Sequence, residues 1–181
     1  MKATDKTPLM QKLYLTYVGG TAPGANIELH DVRFVVGETI EHTYSAIRAG
    51  WFGTQKGLHL DSYVQLHHVD GYRIELAQEP QSACAKKLYF VNFGGYFDGK
   101  LAEFHDFTVV VAESAQAAKQ LAKVQVINKG LAGAEQLHKD DLIAVDDCLC
   151  LDLIDSHYIH LYHDGKSQPL IPDWKGYQPL P

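Results

Sequence analysis

The chain contains one segment twice. Lys12-Leu13-Tyr14, Gly19-Gly20, Glu28-x-His30-Asp31 and Val35-Val36 recur as Lys87-Leu88-Tyr89, Gly94-Gly95, Glu103-x-His105-Asp106 and Val110-Val111, always 75 residues later. From Lys12 to Glu38 against Lys87 to Glu113, 12 of 27 positions are identical. Ordinary residue usage would give about one or two matches. A duplicated unit of this size must fold as two like halves, and that restricts the architecture more than any other feature.

Composition enters as a set of exclusions. The formal charge of −6 leaves no basic excess to displace counterions from phosphates, so nucleic acid is not an expected partner. Met1 to Gln11 lacks the apolar stretch of a signal peptide. No run of about 18 apolar residues is present to span a membrane. The three cysteines, Cys84, Cys148 and Cys150, are an odd number with no framework spacing, and a reducing cytoplasm is the expected location.

Within the first copy, Leu13 to Val18 is a short apolar run followed by Gly19-Gly20, read as a strand and a bend needing positive φ. Leu29 to Val36 alternates, with His30, Val32, Phe34 and Val36 on one face and Asp31, Arg33 and Val35 on the other. Ile40, Tyr44, Ile47 and Trp51 form the stripe of a helix between Glu38 and Phe52. Tyr63 to Val69 and Tyr72 to Leu76 flank Asp70-Gly71, a strong hairpin signal. The unit reads ββαββ. The second copy repeats the order, with an Ala-rich helix capped by Ser114 whose inner stripe is read as Ala118, Leu121 and Val124, with Ala117 and Ala122 as further candidates. Leu137-His138-Lys139-Asp140 is taken as the echo of Leu58-His59-Leu60-Asp61, which leaves about six extra residues around Asp146 to Leu151.

The expected fold is α+β: two tandem ββαββ repeats with mainly antiparallel sheets, packed as an intrachain pseudo-twofold pair, either face to face or edge to edge. Residues 1–11 are a lead-in, 12–77 the first repeat, 78–86 a linker, 87–164 the second repeat. Residues 165–181, with prolines at 169, 172, 179 and 181, form an extended arm that Trp174 and Tyr177 could anchor.

Polar residues kept in both copies are the candidates for chemistry: Glu28, His30, Asp31, His59 and Asp61, with Glu103, His105, Asp106, His138 and Asp140. Glu28 and His30, two apart in an extended segment, share a face, where a carboxylate can orient an imidazole or share a metal with it. Were His59 and Asp61 to join them, the donors would suit zinc, manganese or iron. The plainer reading makes His30 a buried, hydrogen-bonded strand residue and Asp31 a turn cap. On that reading no metal and no cofactor are expected. Tyr14 and Tyr89 are candidate ligand contacts in a cleft between the copies. Cys148-x-Cys150 lacks the context of a nucleophile or zinc site.

The KLYxxxxGG…ExHD…VV pattern, present at residues 12–36 and 87–111, resembles the bacterial family of domain of unknown function 1543, whose members carry the unit singly or in tandem. The resemblance implies a bacterial, cytoplasmic protein of two units and no particular activity. Three functions fit. The leading one is a binding or interaction module, with a homo-oligomer formed through strand edges or the arm. The alternatives are a small metal-assisted hydrolase or isomerase using the Glu-x-His-Asp and His-x-Asp groups, and a small-molecule binder in the cleft.

Overall fold

The structure is a computed structural model describing residues 10–82, 84–95, 99–129 and 143–181. The fold is α+β, with mostly antiparallel sheets and few helices. β1 (Lys12–Gly20), β2 (Leu29–Gly37) and β3 (His59–Gln65) form one sheet, and β11 (Trp174–Pro179) adds to its edge in the order β11-β3-β1-β2. β6 (Lys87–Gly95), β7 (Phe104–Ala112) and β8 (Ile143–Cys150) form its counterpart, ordered β7-β6-β8. β4 (His68–Val69), β5 (Tyr72–Ala77), β9 (Leu153–Ile154) and β10 (His157–His163) form a third sheet, ordered β4-β5-β10-β9.

Both modes of joining the copies are used. β5 of the first copy pairs antiparallel with β10 of the second, Ile74 opposite Leu161 and Leu76 opposite Ile159. This hides two strand edges that would otherwise be open to pairing with other chains. The two larger sheets also share one core of Leu13, Leu15, Val64, Leu88, Phe90, Val109 and Val111, with Phe34 edge-on to Phe90 at 5.4 Å. The hairpin turns lock the halves reciprocally. Val111 N–H donates to Asp70 Oδ2 at 2.9 Å, and Val36 N–H donates to Asp155 Oδ2 at 2.8 Å. Each turn aspartate caps the other copy's second strand, at φ 48° and 46° respectively, a left-handed conformation that Asp tolerates. The retention of Asp70 and Asp155 is thereby structural.

The outer face of each large sheet carries its helix. α1 (Tyr44–Gly50), preceded by a 3-10 turn at Glu41–Thr43, buries Ile47 and Trp51 against Tyr14, Val18 and Leu60. α2 (Ala115–Lys129) is capped by Ser114, whose Oγ accepts the Ala117 N–H at 3.2 Å. β1 and β6 are therefore covered on both faces, which is why they read as continuous apolar runs rather than alternating ones.

Several sequence expectations change. The segment Tyr63 to Val69 is not one strand: it breaks after Gln65 and passes from one sheet to another, so the unit has one more strand than ββαββ. On α2 the buried stripe is Ala118, Ala122 and Val126, while Leu121 and Val124 are exposed. The small residues let the helix approach the sheet, a choice that apolar size alone does not reveal. Gly19 and Gly20 do not bend with positive φ but lie within β1. A Cβ on Gly20 would stand 2.9 Å from Trp51 Cζ2, and one on Gly19 would stand 2.5 Å from His59 Nε2. The pair is glycine because side chains press on the strand from both faces. Among the glycines kept in both copies, Gly24 and Gly99 take positive φ, at 83° and 75°.

The internal alignment also shifts. Gly19 pairs with His59, and Gly94 pairs with Ala144. Leu66 N–H donates to Leu13 O as Leu151 N–H donates to Leu88 O. From β3 onward equivalent residues stand 85 apart, as do Asp70 and Asp155. The additional residues number ten and fall before β8, rather than six within 146–151. His138 and Asp140 are not the register partners of His59 and Asp61, and both lie outside the described residues. Those positions belong to Ala144 and Asp146.

Candidate metal centre

The inner face of the first large sheet ends at Gly19, and four side chains converge over it. His59 stands opposite Gly19 on β3, and His30 opposite it on β2. Glu28 precedes β2 and reaches the same face as His30. Asp61 is placed by a β-bulge: Tyr17 pairs with Ser62 but Val18 with Leu60, leaving Asp61 as the extra residue. The bulge resets the alternation, so that His59 and Asp61 share the inner face with Val64 beyond them. The second copy keeps the same register shift, between Asn92 and Phe93.

The donor atoms of Glu28, His30 and His59 all lie within 4.8 Å of one another. His59 Nε2 is 3.3 Å from both Glu28 Oε1 and Asp61 Oδ1. His30 Nε2 is 3.3 Å from Asp61 Oδ2 and 3.8 Å from Glu28 Oε2. His59 Nδ1 is 2.9 Å from Gly57 O. A carbonyl only accepts, so Nδ1 carries the proton and donates it. In the neutral tautomer this leaves the Nε2 lone pair facing two carboxylates, an arrangement that a bound cation would stabilise. A backbone carbonyl holding the far ring nitrogen is the usual support of a metal-ligating histidine. Among the described residues, Asp61 Oδ2 is buried and accepts no hydrogen bond, its nearest polar neighbour being the His30 ring at 3.3 Å, so it has capacity left for a ligand.

Burial is graded across the site. His59 is only 2% exposed, while the side chains of Asp61, His30 and Glu28 are 25%, 35% and 48% exposed. One side is thus anchored in the protein and the other open. Aromatic rings bracket both imidazoles. Tyr17 stacks on His30 at 5.2 Å with planes 6° apart, and Tyr177 covers His59 at 4.2 Å. Burial, then the charges of Asp61 and Asp31, push the Tyr17 phenol above its ordinary value, so it stays a neutral donor at physiological pH.

The remaining sequence candidates separate from this group. Asp31 lies on the outer face, where its Oδ2 is 2.7 Å from Arg33 and its Oδ1 accepts the Val32 N–H. Asp106 likewise accepts the Phe107 N–H. Glu103 and His105 form a pair at 3.7 Å, with Ala144 in register where the first copy has His59. Tyr14 and Tyr89 do not line a cleft. They are buried on the helix-facing sides of their sheets, and burial raises both phenols. Between the copies, a pocket of about 100 Å³ is lined by Asp70, Thr108, Gln125 and Ser167 among others, well short of the roughly 300 Å³ a drug-sized ligand requires. Burial also raises the Cys148 and Cys150 thiols, the opposite of what a nucleophile needs. The residues that sequence reasoning missed at the site are Tyr17, stacked on His30, and, over His59, Tyr177. No periodicity links Tyr177 to His59, and only its place on an arm with aromatic anchors pointed to it.

A family profile described as Domain of Unknown Function, DUF1543, matches residues 25–76 and 100–155. The chain belongs to the DUF1543 family. All four converging residues fall within the first matched segment, while Gly19 and Tyr177 lie outside both. A crystal structure described as that of protein Il1583 from Idiomarina loihiensis is similar, with 60% identity and a TM-score of 0.73, covering 94% of this chain and 98% of that one. No curated protein matches. Among the described residues, no helix is long and apolar enough to cross a membrane.

Proposed function

We propose that this DUF1543 chain is a metal-dependent protein that holds one divalent transition-metal ion at Glu28, His30, His59 and Asp61, and acts as a hydrolase or isomerase. The observation that carries this is the convergence of three donor groups within 4.8 Å of one another, with Asp61 Oδ2, buried and without a hydrogen bond, 3.3 Å from the His30 ring beside them. Two imidazoles and two carboxylates suit zinc, manganese or iron, and two carboxylate charges balance a +2 ion. Four protein ligands alone would close a tetrahedral site, but Glu28 is the most exposed of them; were it to leave the ion, three protein ligands and an open position would remain, the ligand count of catalytic zinc sites. Half-exposed Glu28 is the group best placed to release the ion or take a proton from bound water. The ion would act as a Lewis acid on a carbonyl or phosphoryl oxygen, or lower the pKa of bound water.

The site is tested by loading purified protein with zinc, manganese or iron(II) and measuring bound metal after dialysis. One ion per chain is expected for the wild type, and much less for His59→Ala. A wild type that retains no stoichiometric ion, or a His59→Ala protein that binds as well, overturns the proposal. Turnover of ester, amide and phosphoester panels that disappears with chelation supports an enzyme. The second reading is a binding module in which the ion captures a ligand without turnover. It is favoured by the shallowness of the site, which has exposed Glu28 and His30 at its rim rather than an enclosing pocket.

A further inference from the structure

We infer that Tyr177, on the C-terminal strand beyond both family-matched segments, is a positioning residue of the metal centre. The inference rests on the metal reading above. β11 pairs with β3 through Lys175 opposite Ser62 and Gln178 opposite Leu60. Gly176 and Tyr177 together therefore face Asp61 alone. Bulges of this kind re-aim a side chain and are common beside active sites. Asp61 is thus flanked by ladder irregularities on both sides, one toward β1 and one toward β11.

The bulge is built into the sequence. Trp174 stacks on Tyr63 at 6.2 Å with planes 19° apart, and its ring folds over the next turn of backbone. A Cβ on Gly176 would lie 2.7 Å from Trp174 Cζ2, so glycine is required there. Beyond the bulge the arm is fastened again. Leu180 is buried, its N–H donates to Leu58 O at 3.0 Å, and Arg48 Nη1 donates to its carbonyl at 3.0 Å. An extended arm fixed at both ends carries Tyr177 across the imidazole of His59, with ring centroids 4.2 Å apart and planes at 33°.

The consequence is mechanical. The Gly57 carbonyl fixes one edge of the His59 ring, and the Tyr177 ring restricts tilting of its plane. Nε2 is then held toward Glu28 and Asp61. Tyr17 does the same for His30 in the first copy, whereas Asn92 takes the Tyr17 place in the second. Tyr177 itself is 64% exposed, so its removal leaves no large core void.

Cobalt(II) titration of the full chain reads this role directly, through the visible absorption of the bound ion. For Tyr177→Ala, affinity is expected to fall about 10- to 100-fold, the range seen when the supports of metal ligands are lost, with a changed spectrum. Tyr177→Phe should keep both wild-type affinity and spectrum. Equal affinity and spectrum in wild type and Tyr177→Ala would overturn the role of Tyr177 while leaving the metal site standing. A wild type that takes up no cobalt would overturn both. The His59 ring-proton shifts give a second, metal-free measurement. Ring-current displacement is expected in wild type and Tyr177→Phe and should vanish in Tyr177→Leu. Unchanged shifts in Tyr177→Leu would show that the stack does not exist in solution.

Discussion

At the scale of the residue, Gly19 is the floor of the site. An added Cβ would stand 2.5 Å from His59 Nε2 and 3.0 Å from Asp61 Oδ2, both of them proposed ligand atoms. Gly19→Ala should therefore displace His59, weaken metal retention by at least tenfold and cost about 1–3 kcal/mol, as overpacking does. Metal titration and thermal unfolding of the variant check both figures. The β-bulge at Asp61 is equally local. Without the extra residue, Val64 would turn away from the shared core or His59 away from the site. Asp164 makes a different single-residue statement. The Lys166 N–H, followed by the His68 ring, holds its carboxyl below the ordinary aspartate value of 3.8. A depressed carboxyl stabilises the fold above its unfolded pKa and loses that effect as pH falls through the folded value. The melting-temperature gap between wild type and Asp164→Asn should accordingly be widest near neutral pH and close on acidification below about 4.

At the scale of the element, the reciprocal hairpin contacts join the copies. Asp70 accepts from Val111 N–H and also from Gln125 Nε2 at 2.9 Å, both part-buried, whereas the Asp155 contact with Val36 is exposed. Asp70→Ala should cost about 1.5–3 kcal/mol, the range for hydrogen bonds to a charged group. Asp155→Ala should cost less, since water can replace the aspartate at Val36. Chemical denaturation of the two variants gives the comparison, and equal losses would show that burial of the contact is irrelevant. β11 also illustrates how an element's role depends on its neighbours. Pro179, which ends the strand, has no N–H to donate to a ladder and suits an edge position. That the edge is β3, and that Tyr177 thereby covers His59, depends on pairings more than 100 residues apart in sequence.

At the scale of the molecule, a symmetric duplication carries an asymmetric site. The reciprocal hairpin contacts occur in both halves, but Ala144 stands in register where the first copy has His59. A metal-to-protein ratio of one, not two, is the expected outcome by elemental analysis. A ratio of two would mean that the second copy assembles a site with other donors. The shared core draws Leu13, Val64, Leu88 and Val109 from both copies, and neither half can bury its inner face alone. Unfolding should be a single cooperative transition by both far-ultraviolet circular dichroism and tyrosine fluorescence. Two separated transitions would show that each repeat is stable by itself.

By itself, the sequence determined the duplication, the α+β class, the faces of β2, the α1 stripe and the two hairpin turns. These follow from local periodicity and turn chemistry, which act over a few residues. It also marked Glu28 and His30 through their repeats Glu103 and His105, and His59 and Asp61 through an alignment with His138 and Asp140 that the strand register does not support. The tertiary structure alone decided that these four meet, that Asp31 turns away to Arg33, and that Tyr14 and Tyr89 serve the helix-facing cores. It alone placed the ten additional residues before β8 and so removed His138 and Asp140 from the comparison with His59 and Asp61. The reason is physical: register, bulges and the approach of side chains over Gly19 are set by pairing between distant strands. Short-range pattern fixes which face a residue takes but not which strand lies beside it.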